Sequence, residues 1–520
     1  MYYNPAVMEN SAVLSQSEKC TLFDFGKDAF GRLIVELELS QAQTIRISQG
    51  ECLADGVLDK APGGFRSYYT AEFALTAGSH RIALKYPLFR EPAPGRVHFC
   101  MPPEDNEIMP FRYAEVCGEA ANIRCSREAF YGNFNDEAAD FKSSDSALNT
   151  LWDFCKYSIK ATNAFDCFVD GHRERLPYEG DTYINQLGYF CCDNDYDKAR
   201  RTIDHLLTYP TWPIEYRLVM PVIVRDYILY SGDKESLGKW KEALERSLFP
   251  GLYTPEGLLP EKFDNICNHE NIRAIVDWPL RERDNCEFGT LMTVPNSYLY
   301  GAFMVMGELY GDEEYFKKAA AVKAVIRSKL MKNGIFVDNA ESEHTALHSV
   351  IYPIVFDVAE KSDYPVLTKF LAEKDMVCSV FGAQFFLESC FKCNMVDKAL
   401  SLLRDSGDRS WLGMLKYGTT ITMEAWSNET KPNQDWNHAW GAAPANLIPR
   451  FVCGIRPLAA GFSKFIVAPQ AGDIAEFYYR QPTPKGAVIL EYDSNSGCTV
   501  TLPDGEKKVV PAGQSCIFEM

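Results

Sequence analysis

The sequence has no run of about 18 apolar residues, the length that a bilayer core demands of a helix, so no membrane span is expected. It has no GxxxxGK[ST] or GxGxxG loop, which argues against phosphate-cradling nucleotide chemistry. A G-x-S-x-G elbow is also missing, and with it the usual serine hydrolase signature. Positive charge is in deficit: 53 Lys and Arg stand against 71 Asp and Glu, a net charge of −18. Nucleic acid and anionic membrane surfaces both need a basic face, so neither is expected as a partner. Cysteine is plentiful but unpatterned. Seventeen residues, an odd number without regular spacing, do not read as a disulfide framework. Cys390 and Cys393 form a lone C-x-x-C, Cys191 and Cys192 are adjacent, and His344 and His348 stand four apart without the HExxH order. A structural zinc site normally needs two such pairs, so no metal and no cofactor are expected. The stretch MYYNPAVMENSAVLSQSEKC lacks the basic start and apolar centre of a secretory signal. The expectation is a reduced, cytoplasmic protein.

What is present divides the chain in three. Residues 1–140 carry short alternating or β-branched runs at 33–39 (LIVELEL), 44–48 (TIRIS), 72–75, 81–86 (RIALKY) and 111–116 (FRYAEV). Residues 61–64 (APGG) and 91–95 (EPAPG) punctuate them, a spacing that predicts a β-sandwich. At 143–146 (SSDS) the period changes. A capping cluster precedes Leu148, Leu151, Trp152, Cys155 and Ile159, the apolar stripe of a helix.

Helical patterns then dominate residues 141–453. Residues 228–240 and 308–320 both show a helix end, a Gly-Asp turn and a new amphipathic helix, with looser copies at 192–203 and 392–403. About twelve such segments, paired as αα-hairpins, predict a closed (α/α)6 barrel. A solenoid would give the same local signal but would keep a fixed period. Residues 454–520 return to strands at 465–467, 474–478, 487–492, 498–502 and 515–518 and predict a second, smaller β-sandwich. It is too thin to build a core alone and must pack on the barrel.

Polar residues gather at three breaks in the helical part. The first, 166–181, reads DCFVDGHRERLPYEGD. Glu174 there is followed by Leu176-Pro177-Tyr178, and a carboxyl held against an aromatic away from water becomes a general acid near neutrality. Arg173 and Arg175 would oppose that unless they pair with Asp166, Asp170 or Asp181. A salt-bridged surface loop explains these residues about equally well. The second is 275–282 (IVDWPLRE), where Asp277-Trp278 before a proline puts an acceptor and a flat apolar face on one loop. Sugar pockets need that combination, although a packed Trp with a capping Asp is the commoner outcome.

The third, 419–441, collects Trp426, Trp436 and Trp440 with Glu424, Asp435 and His438. A core helix would not gather so many polar groups, nor a surface loop so many indoles. His438 suits a sugar hydroxyl, or equally a satisfied core histidine. Two carboxylates on separate loops ringed by aromatics suggest hydrolysis of a glycosidic bond.

At these residues the chain resembles the α-L-rhamnosidases of glycoside hydrolase family 78. The family's stretch, written DCPQRDERLGWTGD, matches Asp166-Cys167, Glu174-Arg175-Leu176 and Gly180-Asp181. Its W-E-x-W segment is similar to Met423-Glu424-Ala425-Trp426, and its N-H-x-x-x-G segment to Asn437-His438-Ala439-Trp440-Gly441. Gly454-Ile455-Arg456-Pro457, followed by Gly461-Phe462, is similar to the entry into its last sandwich. The resemblance covers roughly 110–485. It implies an (α/α)6 barrel and an exo-acting, inverting mechanism with Glu174 as general acid and Glu424 as general base. Asp166, Asp181, Asp277, Trp278 and His438 would hold a terminal rhamnose, and Asp170, Arg173, Tyr178, Trp426 and Trp440 are further candidates for contact with it. The chain departs from the family at three points: two extra residues before Glu174, Tyr178 in place of Trp, and His172 in place of Arg. A homodimer is compatible with this reading. One rival is a hydrolase of uronic or unsaturated glucuronyl sugars, with Arg173, Arg281 and Arg283 as candidate partners of the substrate carboxylate. The other is a carbohydrate-binding relative without catalysis.

Overall fold

The computed structural model describes residues 6–89, 97–102, 104–263 and 272–520. The punctuation expected at 91–95 lies outside the described residues. The chain is a multidomain α and β protein, with sheets on either side of a helical part in sequence. Four of the five early runs fall within strands of one eight-stranded antiparallel sheet, and the fifth, 81–86, runs three residues past the end of its strand Gly78–Ala83. Its spine is the 20-residue strand Cys20–Leu39, which pairs with Met109–Cys117, Ala121–Ala129, Ala12–Gln16 and Gly78–Ala83. Alternate residues Leu33, Val35, Leu37 and Leu39 bury one face of it. In one respect the expectation of a wholly reduced chain fails. Cys20 and Cys117, opposite each other in the sheet, form a disulfide.

The period change at 143–146 opens helix α1 (Ser146–Ala161), and Asp145 caps it by accepting from the Ala147 and Leu148 amides. Its whole apolar stripe is buried. The following helices alternate in character. α2 (Glu179–Cys192) is buried along its length, whereas α3 (Asp197–Thr208) buries one stripe. The same contrast separates α4 (Ile214–Ser231) from α5 (Leu237–Ser247), and α6 (Thr293–Tyr310) from α7 (Glu313–Lys329). It recurs between α8 (Leu347–Val355) and α9 (Tyr364–Glu373), and again between α10 (Val380–Lys392) and α11 (Val396–Arg404). A short α12 (Trp411–Met414) and a buried α13 (Pro444–Leu447) complete the set. A helix apolar on every side must be surrounded by others, and one with a single apolar stripe must lie outside them. α2 packs on α4, α4 on α6, α6 on α8, α8 on α10, α10 on α13, and α13 back on α2. Gly232 and Gly311 end α4 and α6 in the left-handed region, and Asp312 caps α7, as the Gly-Asp turns imply.

The C-terminal strands form a five-stranded and a three-stranded sheet. The larger one recruits Asp140–Ser143, which pairs with Glu476–Gln481 and so ties the start of the helical part to the end of the chain. Tyr479 in that strand donates to the Cys191 carbonyl at 2.8 Å, anchoring the sheet on α2.

Candidate active site

The loops leading into the buried helices carry the polar stretches: 166–178 precedes α2, 209–213 precedes α4, and 419–438 precedes α13. Buried acids hold these loops to one another. Glu179, first in α2, accepts from the Thr211 amide at 2.9 Å and from its hydroxyl. Glu215, second in α4, accepts from the Ile275 and Val276 amides at 2.9 and 3.0 Å. Asp435 accepts from the Arg173 amide at 3.0 Å, and Asn437 from the His172 amide at 2.7 Å. Gly171 makes that approach feasible: it sits at φ +104°, and a Cβ there would lie 2.6 Å from an Asp435 oxygen.

The N-terminal sheet region fastens the same loop from the other side. Arg175, fully buried, pairs with Glu107 at 2.9 Å and donates to the Ile108 carbonyl at 2.6 Å. Arg175 therefore points away from the cavity rather than at Asp166, Asp170 or Asp181.

The loops enclose a cavity of about 190 Å³. Asp170, Arg173, Glu174, Tyr178, Asp181, Trp278, Glu424, His438 and Trp440 line it, as do Trp212, Pro213, Tyr216 and Ile275. Glu174 receives the Tyr178 hydroxyl at 2.7 Å and Arg173 Nη1 at 3.0 Å. Glu424 is nearly inaccessible. Arg173 Nη2 donates to its Oε1 at 2.7 Å, and the Lys431 ammonium stands 3.1 Å from its Oε2. Burial raises the Glu424 carboxyl above its ordinary pKa, against the pull of His438, Arg173 and Lys431. The Trp440 indole donates to the Glu424 carbonyl at 2.9 Å and fixes the backbone there.

Asp170 accepts from the Leu176 amide at 3.0 Å through one oxygen, while the other is buried without a hydrogen bond. Burial, helped by Glu174 and Asp181 and opposed by His438 and Arg173, pushes its pKa well up. His438 lies between Asp181, 2.8 Å from Nε2, and Asp435, 3.1 Å from Nδ1. Burial opposes its charge, but the two carboxylates prevail and hold its pKa well above the usual value. His438 thus faces one carboxylate at each ring nitrogen, an arrangement that favours the imidazolium.

Glu424, Asp435 and His438 offer ligand atoms within 4.8 Å of one another. Arg173 and Lys431 already neutralise Glu424, and both imidazole nitrogens are spent on carboxylates. His438 is thus engaged by carboxylates on both ring nitrogens, and Glu424 by two cations.

A profile described as the bacterial alpha-L-rhamnosidase 6 hairpin glycosidase domain matches residues 136–452, more than half of the chain. The chain belongs to this family. No curated protein matches it in sequence. Solved rhamnosidases share its fold. The glycoside hydrolase family 78 rhamnosidase of Bacillus sp. GL1 is 18% identical with a TM-score of 0.72, over 94% of this chain and 52% of that one. The Klebsiella oxytoca rhamnosidase with rhamnose bound is 15% identical with a TM-score of 0.64, over 86% and 94%. The α-L-rhamnosidase of Aspergillus terreus is 17% identical with a TM-score of 0.75, over 99% and 63%. The chain thus spans about half the length of the Bacillus rhamnosidase.

Three residues that the rhamnosidase resemblance or the sequence pattern assigned to a sugar contact stand outside the cavity. Asp166 lies on a separate surface cleft beside Arg201, whose Nε donates to its carbonyl at 3.2 Å. Asp170, four residues on, stands in the pocket instead. Asp277 is buried behind the wall and accepts from the Trp278 amide at 2.8 Å, the Ser379 amide at 2.9 Å and, at 2.7 Å, His348 Nε2. Its oxygens are used up in placing Trp278. Trp426 is fully buried, edge-on to Trp411, with its indole donating to the Cys378 carbonyl at 2.7 Å. His348, from the i, i+4 pair, is thus an Asp277 partner, and His344 is likewise an Asp338 partner at 2.6 Å.

Trp212, Pro213, Tyr216 and Lys431 were missed in the sequence, and Ile275 opens the second stretch without having been marked as a contact. Thr211-Trp212-Pro213 repeats the aromatic-before-proline signal of Trp278-Pro279 and was legible by the same criterion. Tyr216 lies in an apolar run without any local mark.

Proposed function

We propose that the protein is an exo-acting, inverting glycoside hydrolase that releases terminal α-L-rhamnose. The observation that carries this is the convergence of Glu174 and Glu424, 250 positions apart (424 − 174), on one small cavity walled by Trp212, Trp278 and Trp440. The unbroken circuit of buried helices supports a closed six-hairpin barrel, with the cavity at the end where α2, α4 and α13 begin. Bound rhamnose in the Klebsiella relative supports the sugar.

Glu174, protonated, delivers its proton to the glycosidic oxygen as the bond to the anomeric carbon breaks. Glu424 takes a proton from the water that attacks the opposite face. The products are the free alcohol and the sugar of inverted configuration, and each proton is accounted for. Asp170, on the cavity wall with one oxygen free of hydrogen bonds, is placed to meet a ring hydroxyl. Asp181 and His438 set the polar edge, and the indoles take the C–H face of the sugar. The uronate alternative finds less support: Arg281 and Arg283 do not line the cavity, and Arg173 is spent on carboxylates.

A panel of aryl glycosides tests the reading, with the product anomer followed by proton NMR. The α-L-rhamnoside is expected to be cleaved to the inverted sugar, and Glu174→Gln and Glu424→Gln to fall about 10²–10⁴-fold or more. Cleavage of the uronide alone, or retention of configuration, would overturn it.

A further inference from the structure

One cation is shared by the two candidate catalytic groups. The Arg173 guanidinium gives Nη1 to Glu174 Oε1 at 3.0 Å and Nη2 to Glu424 Oε1 at 2.7 Å, and stands 4.0 Å from Asp170. Its own backbone amide is tied to Asp435 at 3.0 Å, so the fork cannot drift with the loop. Burial works against its charge, but Glu424, Asp170, Glu174 and Asp435 hold its pKa above the ordinary value. It is therefore a permanent cation standing between an acid and a base that must carry opposite protonation states for inversion.

We propose that Arg173 is a positioning residue for both carboxylates, spacing them across the cavity and linking their charge states through one guanidinium fork. This rests on the assignment of Glu174 and Glu424 to the acid and base roles. The fork's planar, rigid donors fix where each carboxylate oxygen lies, which a flexible ammonium would not do. Its charge favours the ionised form of both acids at once. For Glu424 that favours the state a base needs. For Glu174 it opposes the proton the acid needs, so the Nη1 contact has to loosen as the glycosidic oxygen takes its place. Other charged or titratable groups also face the pair. Among the described residues they include Asp170 and Tyr178 from the same loop, Asp181 from α2, Tyr216 from α4, Lys431, Asp435 and His438 from the loop before α13, and His98, whose Nδ1 lies 2.6 Å from the Glu174 carbonyl. Among these, Lys431 reaches Glu424 and Tyr178 reaches Glu174, whereas Arg173 reaches both.

The consequence is unusual. Removing Arg173 raises the proton affinity of acid and base together, so both limbs of the bell-shaped kcat/KM profile move the same way. Phenyl α-L-rhamnoside, whose leaving group needs protonation, reports both limbs. In Arg173→Gln each limb is expected to move to higher pH by about one unit, the lower end of what a neighbouring opposite charge contributes. Arg173→Lys, which keeps the charge without the fork, is expected to restore the limbs but not the full kcat. A second measurement needs no turnover: carboxyl carbon NMR of glutamate-labelled protein, assigned with Glu174→Gln and Glu424→Gln. There both glutamates are expected to titrate higher in Arg173→Gln. Limbs and carboxyl titrations that stay in place while activity falls would overturn the proposal, as would movement of one group alone. If the wild type cleaves no rhamnoside, the functional reading fails, and the NMR titration still decides whether Arg173 links the two acids.

Discussion

Replacing His438 by Gln tests the charge balance that holds the pocket together. The ring is almost fully buried and faces Asp181 at 2.8 Å through Nε2 and Asp435 at 3.1 Å through Nδ1. A neutral imidazole has a single N–H and could serve one of them, whereas the imidazolium serves both. The variant leaves two carboxylates, 3% and 0% exposed, without their cation. Removing one partner of a buried pair costs about 3–5 kcal/mol.

The pH dependence follows from the folded pKa, which lies above the unfolded value of roughly 6.5. The contribution of His438 is fully present below that value and is lost as pH rises through the folded pKa. The gap between wild type and variant should therefore be widest near pH 6 and narrow on the alkaline side. Chemical denaturation followed by tryptophan fluorescence measures the gap, and nitrogen NMR of the ring reports its protonation at pH 7. A neutral tautomer at pH 7, a stability loss below about 1 kcal/mol, or a gap that widens with pH would refute the reasoning.

Two further changes probe how the fold presents the site. In Gly180→Ala the new Cβ would lie 2.4 Å from the Tyr216 ring. Thermal unfolding should show a loss of about 1–3 kcal/mol, and displacement of the cavity wall should raise KM more than it lowers kcat; an unchanged KM would count against Tyr216 as wall. Lys198 is buried, donates to Asn163 at 2.6 Å, and burial lowers its pKa to about 7. The unfolded chain binds the extra proton between pH 7 and about 10.5, so wild-type stability should rise across that window, by about 2–3 kcal/mol from pH 7 to 9. Lys198→Met should flatten that rise, and an unaltered slope in denaturation midpoints would refute it.

Local pattern carried a good deal of the fold. Leu148, Leu151, Trp152, Cys155 and Ile159 announced α1 because a stripe at helical spacing has one way to be buried. The Gly-Asp turns at 232 and 311 announced hairpins because glycine tolerates the left-handed region. What failed depended on partners distant in sequence. Asp166 and Asp170 look equivalent in the chain, yet only Asp170 faces the cavity. Trp426 looked like a sugar platform and is core, because its indole finds a carbonyl 48 positions away. Cys20 and Cys117 carry no spacing signal, since sheet register rather than sequence distance brings them together.

By itself the sequence determined which segments are helix and strand, and which breaks in the helical part hold acids and indoles. Periodicity, capping and turn chemistry act over a few residues and are written locally. The tertiary structure alone decided which acids share a cavity, that Arg173 bridges Glu174 and Glu424, and that His438 is held between two carboxylates. Those facts are electrostatic and arise between loops hundreds of residues apart. Burial strengthens each charge's need for a partner, and only the folded chain settles which partner it meets.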